Sequence, residues 1–266
     1  MHGQPFANSS PFFKEMAVEH THDDRPVLFF DIDNTLYSSS AKIAEAMGVR
    51  IRAYIKSLGL SEEEASNLQS QYYTQYGLSL LGLRRHHGVD PMDFHEKCDG
   101  SLPLEEMLSP DPRVRKLLED IDRSKCRVWT LTNAYWTHAE RVLRILELRD
   151  QIEGIVFCDF NLKDEDFICK PQPAFYHWAM HQAGVQDPTK CLFVDDSLSN
   201  VEGARRVGWI HSVYFQEGGH QTTEPLHINH LAKAPAKIIT KDGISVISNL
   251  QQLRVVWPDI FVEAEH

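Results

Sequence analysis

The order of apolar and amphipathic segments in the second half of the chain constrains the fold more than any other feature. From Pro110 onward, short apolar segments alternate with segments of helical periodicity, and the links between them are short. This alternation is typical of βαβ units, which build a parallel sheet with right-handed crossovers. The sequence therefore predicts an α/β, Rossmann-like core. Its predicted strands are 126–131, 154–159, 191–196 and 211–215, and its predicted helices are 110–122, 137–148, 173–184 and 198–208. Thr137 and Glu140 are expected to form a capping box for the second of these helices.

The segment VLFFDIDNTLY, at residues 27–37, places two acids directly after a buried strand. Its first four residues are β-branched, aromatic or otherwise apolar, which predicts a strand buried on both faces. Asp31 and Asp33 follow, so both side chains leave an extended chain on the same side. Two carboxylates this close repel each other unless a cation or a proton lies between them. From this segment alone an alternative stays open, in which Asp31 caps the strand and Asp33 begins a turn with Asn34.

Residues 39–108, which we call the helical block, differ from the second half of the chain because they contain no convincing strand. Apolar residues at every fourth position from 43 to 55 indicate a first helix. Ser61 and Glu64 predict a capping box for a second helix, which Gly77 is expected to end, and two shorter helical pieces come after it. We expect an all-helical insert after the first strand. The predicted division of the chain is an N-terminal extension at 1–24, a core at 25–38 and 109–266, and the helical block at 39–108.

Polar residues follow the other predicted strands at the points where those strands end. Thr132 and Asn133 come after the second strand, Asp195 and Asp196 close the strand CLFVDD, and Lys170 lies in the loop ICKPQPAF before a helix. Taken alone, Thr132 and Asn133 are better explained as a cap for the helix that follows, and Lys170 as a solvated surface lysine. However, ligands of parallel α/β sheets bind at the carboxyl ends of the strands. We therefore predict one site formed by Asp31, Asp33, Thr132, Asn133, Lys170, Asp195 and Asp196.

The composition excludes several classes of partner. A formal charge of −11 argues against a nucleic-acid polymer, although it permits a small phosphate ligand. The 5 cysteines are widely spaced without a C-x-x-C pair, which indicates reduced thiols rather than disulfides or a zinc site. No stretch approaches the ~18 apolar residues of a membrane span, and the first residues do not resemble a secretory signal. We expect a cytoplasmic protein without a membrane partner, and the nucleus stays open as a second location.

The motifs DIDNT, Thr132 with Asn133, Lys170 in KPQP and FVDDS resemble, in the same order, the four motifs of the haloacid dehalogenase superfamily of phosphatases. The resemblance covers roughly residues 26–215. The longer strings DNTLY, YGLSLLGLRRHH, NAYWTHAERVL and FVDDSLSNVEGA resemble its fungal and plant pyrimidine 5′-nucleotidase branch, and the helical block matches the position of that branch's cap. Residues 1–24 and about 217–243 lie outside the resemblance.

The resemblance implies a phosphatase that uses an aspartate nucleophile. Asp31 is the expected nucleophile, which would form an aspartyl-phosphate. Asp33 is the expected general acid for the leaving oxygen and then the base for the hydrolytic water. Mg²⁺ is the implied cofactor. Its expected protein ligands are the Asp31 carboxylate, the Asp33 backbone carbonyl and the Asp196 carboxylate, with Asp195 behind them or bridged by water.

Further residues are expected to bind the phosphate group. Thr132 would donate a hydrogen bond to a phosphoryl oxygen, with Asn133 beside it. Lys170 would supply a positive charge to the nucleophile and the phosphate. The backbone amides of Asn34 and Thr35 would form part of the phosphate cradle, although turn formation explains these two residues nearly as well.

The expected substrate is a small molecule, a pyrimidine nucleoside 5′-monophosphate such as UMP or CMP. Arg84 and His87 of the helical block are expected to bind the base or the sugar. Tyr72, Tyr73 and Tyr76 are available to stack on a pyrimidine ring, and packing between helices is the competing explanation for them.

Two other functions stay open at this point. One is a phosphatase or mutase acting on a sugar phosphate or another small phosphate metabolite, and another is a catalytically inactive scaffold of the same fold. A dehalogenase is disfavoured, because attack on carbon does not require Asp33 as a proton donor. The oligomeric state is not readable from the sequence.

Overall fold

A computed structural model describes residues 23–161, 166–218, 237–238 and 243–262 of this chain. Its seven strands are β1 (Val27–Phe30), β2 (Arg127–Leu131), β3 (Gly154–Val156), β4 (Cys191–Asp195), β5 (His211–Phe215), β6 (Lys237–Ile238) and β7 (Ser245–Ile247). They form one sheet in the order β3-β2-β1-β4-β5-β7-β6. All neighbouring strands are parallel except β6, which runs antiparallel to β7 at the edge. The predicted α/β class with a parallel sheet is confirmed.

The α-helices of the described chain fall into two groups. Those between β1 and β2 are α1 (Ile43–Ser57), α2 (Glu62–Tyr76), α3 (Ser79–His87), α4 (Pro91–Lys97), α5 (Leu104–Met107) and α6 (Pro112–Glu119). Those after β2 are α7 (Trp136–Ile145), α8 (Pro173–Gln182), α9 (Leu198–Arg206) and α10 (Leu253–Val256). Short 3₁₀ turns separate several of these elements.

The register of the sheet aligns the ends of its three central strands. Phe30 of β1 lies level with Thr130 of β2 and with Val194 of β4. The amide of Asp31 still donates to the Val194 carbonyl at 2.9 Å, so the backbone stays on the sheet one residue beyond β1. The residues that end these strands therefore meet at one edge, as expected for a parallel sheet.

The two faces of β1 belong to different parts of the core. Val27 and Phe29 pack with α8 and α9, and the ring of Phe29 stacks on Trp209 with 5.0 Å between centroids. Leu28 and Phe30 pack on the opposite face with α6, α7 and α10. All four side chains of β1 are fully buried, which explains why this strand is apolar at every position rather than at alternate ones.

The helical block has no strand between residues 39 and 108, all of which the structure describes. The predicted capping box is present, since Ser61 accepts from the Glu64 amide and the Glu64 side chain accepts in return. Gly77 ends α2 with φ of 79°, a conformation that glycine adopts without penalty. Close contact joins α2 to α3, because a Cβ added at Gly82 would lie 2.2 Å from Cγ of Tyr72.

The predicted capping box of Thr137 and Glu140 is wrong. Helix α7 begins at Trp136, and its N-cap residue Tyr135 makes no side-chain cap bond. The Thr137 hydroxyl contacts Nε2 of His95 at 2.7 Å, and Glu140 pairs with two arginines further along the chain. The spacing matches a capping box, but both side chains bind tertiary partners instead. Thr137 contacts the helical block, and Glu140 pairs with arginines at and beyond the end of α7.

Other features differ in smaller ways. The third strand ends at Val156 rather than at residue 159, and the sequence pattern did not predict β6 or β7. All five cysteines are buried and free, as expected for reduced thiols. None of the helices in the described part of the chain is long and apolar enough to cross a membrane. Most of the predicted N-terminal extension and residues 219–236 lie outside the described residues.

Candidate active site

The ends of β1 and β4 and the loop before α8 bring one lysine between two aspartates. Nζ of Lys170 lies 2.6 Å from Oδ1 of Asp31, 2.7 Å from Oδ2 of Asp195 and 2.6 Å from the Leu131 carbonyl oxygen. Its three donors are thus all used. Lys170 and Asp195 are fully buried, and Asp31 is 6% exposed. Burial lowers the pKa of Lys170, but the two carboxylates outweigh it and raise that pKa, so the ammonium stays charged.

Asn133 fixes the backbone of this lysine. Its Oδ1 accepts from the Lys170 amide at 2.8 Å, and its Nδ2 donates to the Lys170 carbonyl at 3.0 Å. Neighbouring Thr132 is fully buried, and its hydroxyl oxygen accepts from the Ala134 amide at 3.0 Å. The hydroxyl proton of Thr132 is not used in that bond, so it can point to a ligand oxygen at the sheet edge.

Asp195 is saturated by protein donors. Besides Lys170, its oxygens accept from the Ser197 amide at 2.8 Å and from Nδ2 of Asn200 at 3.0 and 3.1 Å. These contacts occupy about the four lone-pair positions that a carboxylate offers. Asp195 therefore orients Lys170 and the start of α9, and it has little capacity left for a further ligand.

Asp31, Asp195 and Asp196, which we call the carboxylate cluster, can each direct an oxygen so that the three oxygens lie within 4.8 Å of one another. Three acids facing one lysine leave an excess of negative charge. Burial, followed by the charge of Asp195, raises the pKa of Asp196 to about 7. Burial also raises the pKa of Asp31, against the opposing effect of Lys170. Oxygen donors with unbalanced charge fit a hard divalent cation, for which Asp31 and Asp196 have capacity.

The turn after β1 completes one side of this site. The hydroxyl of Thr35 donates to Oδ2 of Asp31 at 3.1 Å, and its amide donates to the Ile32 carbonyl at 3.3 Å. The Thr35 amide is thus part of a turn rather than of an open phosphate cradle. Asn34 adopts φ of 59°, and its side chain hydrogen-bonds Asp196, which opposes the rise in the pKa of that acid.

Asp33 lies in a second hydrogen-bonded group that the sequence pattern did not predict. Its Oδ1 accepts from the Tyr37 hydroxyl at 2.7 Å and from Nε2 of His138 at 2.8 Å. Nδ1 of the same histidine lies 2.5 Å from Oδ1 of Asp99, which belongs to the helical block. The only local sequence signal was a histidine on the apolar face of a helix, four residues before the buried Val142.

The structure places Arg84 and His87, the two predicted substrate-binding residues of the helical block, beside aromatic rings. The guanidinium of Arg84 lies 5.9 Å from the ring centroid of Phe167. His87 is exposed, and its Nε2 lies 3.0 Å from the Tyr72 hydroxyl. Among the described residues, the hydrogen bonds to the Asp31 carboxylate come from Lys170 and Thr35 and not from Arg84 or His87, so the substrate-binding role of these two residues stays a prediction.

The three tyrosines of α2 have different surroundings. Tyr72 is 6% exposed and packs between helices, whereas Tyr76 contacts Nε2 of His86 through its hydroxyl at 2.7 Å. Tyr73 is 59% exposed, and partial burial, followed by the charge of Asp196, raises the pKa of its phenol. One turn later, a Cβ at Gly77 would lie 2.5 Å from the carbonyl of the site lysine. The C-terminal end of α2 therefore lies against the site.

A parallel sheet with acids at the ends of β1 and β4, and a buried lysine between them, defines a class of hydrolase. The chain belongs to the haloacid dehalogenase-like hydrolases, whose family model matches residues 26–208. It is 38% identical over 239 residues to Phosphate metabolism protein 8 of Saccharomyces cerevisiae, covering 87% of this chain and 70% of that protein. It is 27% identical over 219 residues to the Glyceraldehyde 3-phosphate phosphatase of Methanopyrus kandleri, covering 74% and 87% of the two chains.

A solved structure shares the same fold. The HAD phosphatase from Thermococcus onnurineus superposes with a TM-score of 0.55 at 21% identity, covering 90% of this chain and all of the other. At this identity the likeness concerns the fold alone. The arrangement of strands and helices is therefore that of the family, and the chemistry has to be argued from the site.

Proposed function

We propose that this protein is a Mg²⁺-dependent phosphomonoesterase that hydrolyses pyrimidine nucleoside 5′-monophosphates, such as UMP and CMP, through an aspartyl-phosphate. One observation supports the phosphatase part of this proposal. Lys170 contacts Asp31, and the carboxylate of Asp196 beside them has capacity left to bind a cation. A phosphate monoester is a dianion, so a carboxylate can attack it only where cations offset both charges. The names of the yeast and archaeal relatives, which refer to phosphate metabolism and to a phosphatase, are compatible with this reaction.

The proposed reaction has two steps. In the first, a carboxylate oxygen of Asp31 forms a bond to phosphorus while the bond to the 5′-oxygen breaks, and Asp33 donates a proton to that leaving oxygen. In the second, Asp33 takes a proton from water, the water oxygen attacks phosphorus, and the bond to Asp31 breaks to release inorganic phosphate. Thr132 donates its free hydroxyl proton to a phosphoryl oxygen. Lys170 holds the orientation of Asp31 throughout.

Asp31 and Asp196, with the backbone carbonyl of Asp33, are the proposed ligands of Mg²⁺. When bound, the ion would supply Lewis-acid neutralisation of the phosphoryl charge. Asp195 has its oxygens occupied by protein donors, so we assign it to orienting the lysine and the metal ligands rather than to direct coordination.

The helical block is the proposed cap, which closes over the phosphate and selects the rest of the substrate. Support comes from the string YGLSLLGLRRHH, which resembles the pyrimidine nucleotidase branch, and from the end of α2 against the site. Tyr73 is the exposed tyrosine of α2, and burial together with the charge of Asp196 raises the pKa of its phenol, so it is our choice for contact with the ribose or base. A second candidate substrate class is a small sugar phosphate, which the name of the Methanopyrus kandleri relative favours.

A phosphate-release screen tests the reaction and its substrate together. Purified protein is assayed with UMP, CMP, AMP and ribose 5-phosphate, in Mg²⁺ and in EDTA. We expect Mg²⁺-dependent release that is fastest with the pyrimidine nucleotides. Preference for ribose 5-phosphate or AMP would reject the nucleotidase part and leave the phosphatase part standing, whereas full activity in EDTA would reject the metal assignment.

The variant Asp31→Asn tests the nucleophile. We expect a folded protein without turnover, because the substitution removes the attacking carboxylate and one charge from a crowded cluster. The matched control is Asp259→Asn, which makes the same charge change at an exposed position and should keep wild-type activity. Near-normal phosphate release by folded Asp31→Asn protein would contradict the covalent mechanism.

The variants Arg84→Ala and His87→Ala test the cap residues. If they bind the nucleoside, kcat/KM for UMP should fall about ten- to a hundredfold, as expected for one lost buried hydrogen bond. Hydrolysis of a small aryl phosphate, which lacks a nucleoside, should change little. Equal losses on both substrates would assign these residues to the fold or to the phosphate instead.

A further inference from the structure

His138 links the proposed acid–base residue to the helical block. It is 4% exposed in the first turn of α7, and both of its ring nitrogens face carboxylates. Nε2 lies 2.8 Å from Oδ1 of Asp33, and Nδ1 lies 2.5 Å from Oδ1 of Asp99. Ionised carboxylates only accept hydrogen bonds, so the ring donates from both nitrogens.

The far end of this chain of contacts is anchored in the helical block. Asp99 follows α4, and its Oδ2 lies 3.0 Å from Nδ1 of His95 on that helix. His95 in turn contacts the Thr137 hydroxyl through Nε2 at 2.7 Å. Two residues of the helical block thus hold two consecutive residues of α7. Because the second of these is His138, the seating of the block on α7 is coupled to the side chain that Asp33 touches.

The contacts of Asp33 select one of its oxygens for chemistry. Oδ1 accepts from both His138 and the Tyr37 hydroxyl, at 2.8 and 2.7 Å. Among the described residues no hydrogen bond reaches Oδ2. Two donors on one oxygen fix the rotation of the carboxylate and leave the other oxygen to exchange a proton with a ligand.

We propose that His138 is a positioning residue that fixes the Asp33 carboxylate with Oδ2 towards the leaving oxygen, and that Asp99 makes this orientation depend on the seated helical block. The inference rests on the proposed function, since it concerns the residue that protonates the leaving group there. It predicts a defect that depends on the leaving group. A positioned acid matters most when the departing oxygen is strongly basic, because such an oxygen cannot leave without a proton.

The experiment compares two substrates of similar size, benzyl phosphate with a strongly basic alkoxide and p-nitrophenyl phosphate with a weakly basic phenoxide. For His138→Leu we expect kcat/KM to fall ~10²-fold on benzyl phosphate and less than ~10-fold on p-nitrophenyl phosphate. His138→Gln keeps a donor near the Nε2 position and should recover most of the loss. Asp99→Asn should show the same selectivity more weakly, and Asp33→Asn should show it in full. His177→Leu, at an exposed position, is the control and should behave as wild type.

The outcomes separate this inference from the proposed function. Equal losses on both substrates, or no loss on either, would overturn the positioning role while the phosphatase stands. A wild-type protein that releases phosphate from neither substrate in Mg²⁺ would overturn the proposed function and the inference with it. If His138→Leu does not fold, as judged by circular dichroism, the Gln and Asp99→Asn variants decide the question by the ratio of kcat/KM on the two substrates.

Discussion

Replacing the buried lysine of the site should destabilise the fold as well as remove activity. In Lys170→Met, the new side chain has a similar length but no charge. Asp31 and Asp195 then stay buried without a cation. The Leu131 carbonyl also loses its donor from Nζ. The residue is fully buried, so water cannot replace these contacts without a rearrangement of the sheet edge.

The magnitude follows from the burial of the partners. Removing one member of a buried ion pair costs about 3–5 kcal/mol of unfolding free energy, because the remaining charge has no counterion. For a chain of this size each kcal/mol corresponds to about 2–4 °C, so the expected fall in Tm is about 6–20 °C. The deficit should depend on pH. In the variant the Asp31 carboxyl, whose pKa is raised by burial, loses the cation that opposes this rise, so the stability it contributes below about pH 4 is lost as the pH rises through its raised pKa.

Thermal unfolding in EDTA, followed by circular dichroism from pH 4.5 to 7.5, measures this effect. Lys190→Met is the matched control, because Lys190 pairs at 3.0 Å with a largely exposed Asp24. Exposed pairs contribute at most about 1 kcal/mol, so its Tm should change little at any pH. A Lys170→Met protein as stable as Lys190→Met at neutral pH would refute the reasoning. A deficit that shrinks as pH rises would refute its electrostatic part.

Two further predictions concern the metal and the helical block. Burial and the charge of Asp195 raise the pKa of Asp196 to about 7, so protons should compete with Mg²⁺ for this carboxylate below that pH. The Mg²⁺ affinity measured by titration calorimetry should therefore fall by up to about tenfold for each unit that the pH is lowered. An affinity that does not change with pH would remove Asp196 from the set of metal ligands. Gly82→Ala should cost about 1–3 kcal/mol, because the new Cβ would lie 2.2 Å from the Tyr72 ring. Denaturant titration measures both variants, and Gly48→Ala in α1, whose new Cβ would lie 3.3 Å from the flexible side-chain ends of Arg52 and Gln69, should be neutral or stabilising.

The sheet and its motif residues were predictable because local patterns determine them. A strand buried on both faces reads as a continuous apolar run, and β1 and the first four residues of β4 are such runs. Once strands alternate with helices, the carboxyl ends must share an edge, so Asp31 and Asp195 were expected to meet there. Their joint contact with Lys170 bears out the expectation that these positions are neighbours. The capping box of α2 was readable for the same reason, since its partners are three residues apart.

Long-range partners could not be predicted from such patterns. Asp99 and His138 are 39 residues apart, and their contact depends on how the helical block seats on α7. No periodic pattern in the sequence indicates that Asp99 and His138 are in contact. The same tertiary contact explains the failed capping box, because His95 takes the hydroxyl of Thr137. The hydrogen bonds of Asn133 to the Lys170 backbone could not be predicted from the sequence either. An asparagine after a strand is compatible with a turn, a helix cap or a ligand contact.

The central position of β1 has a consequence for the dynamics of the protein. Its amides and carbonyls pair with β2 on one side and β4 on the other, and its side chains are fully buried on both faces. Backbone amides of this kind exchange hydrogen for deuterium only when the whole domain opens, whereas edge strands and exposed helices exchange through local fluctuations. Residues 27–31 should therefore be among the slowest to exchange. The proposed nucleophile would keep its backbone position while the edges of the sheet and the helical block open and close around it.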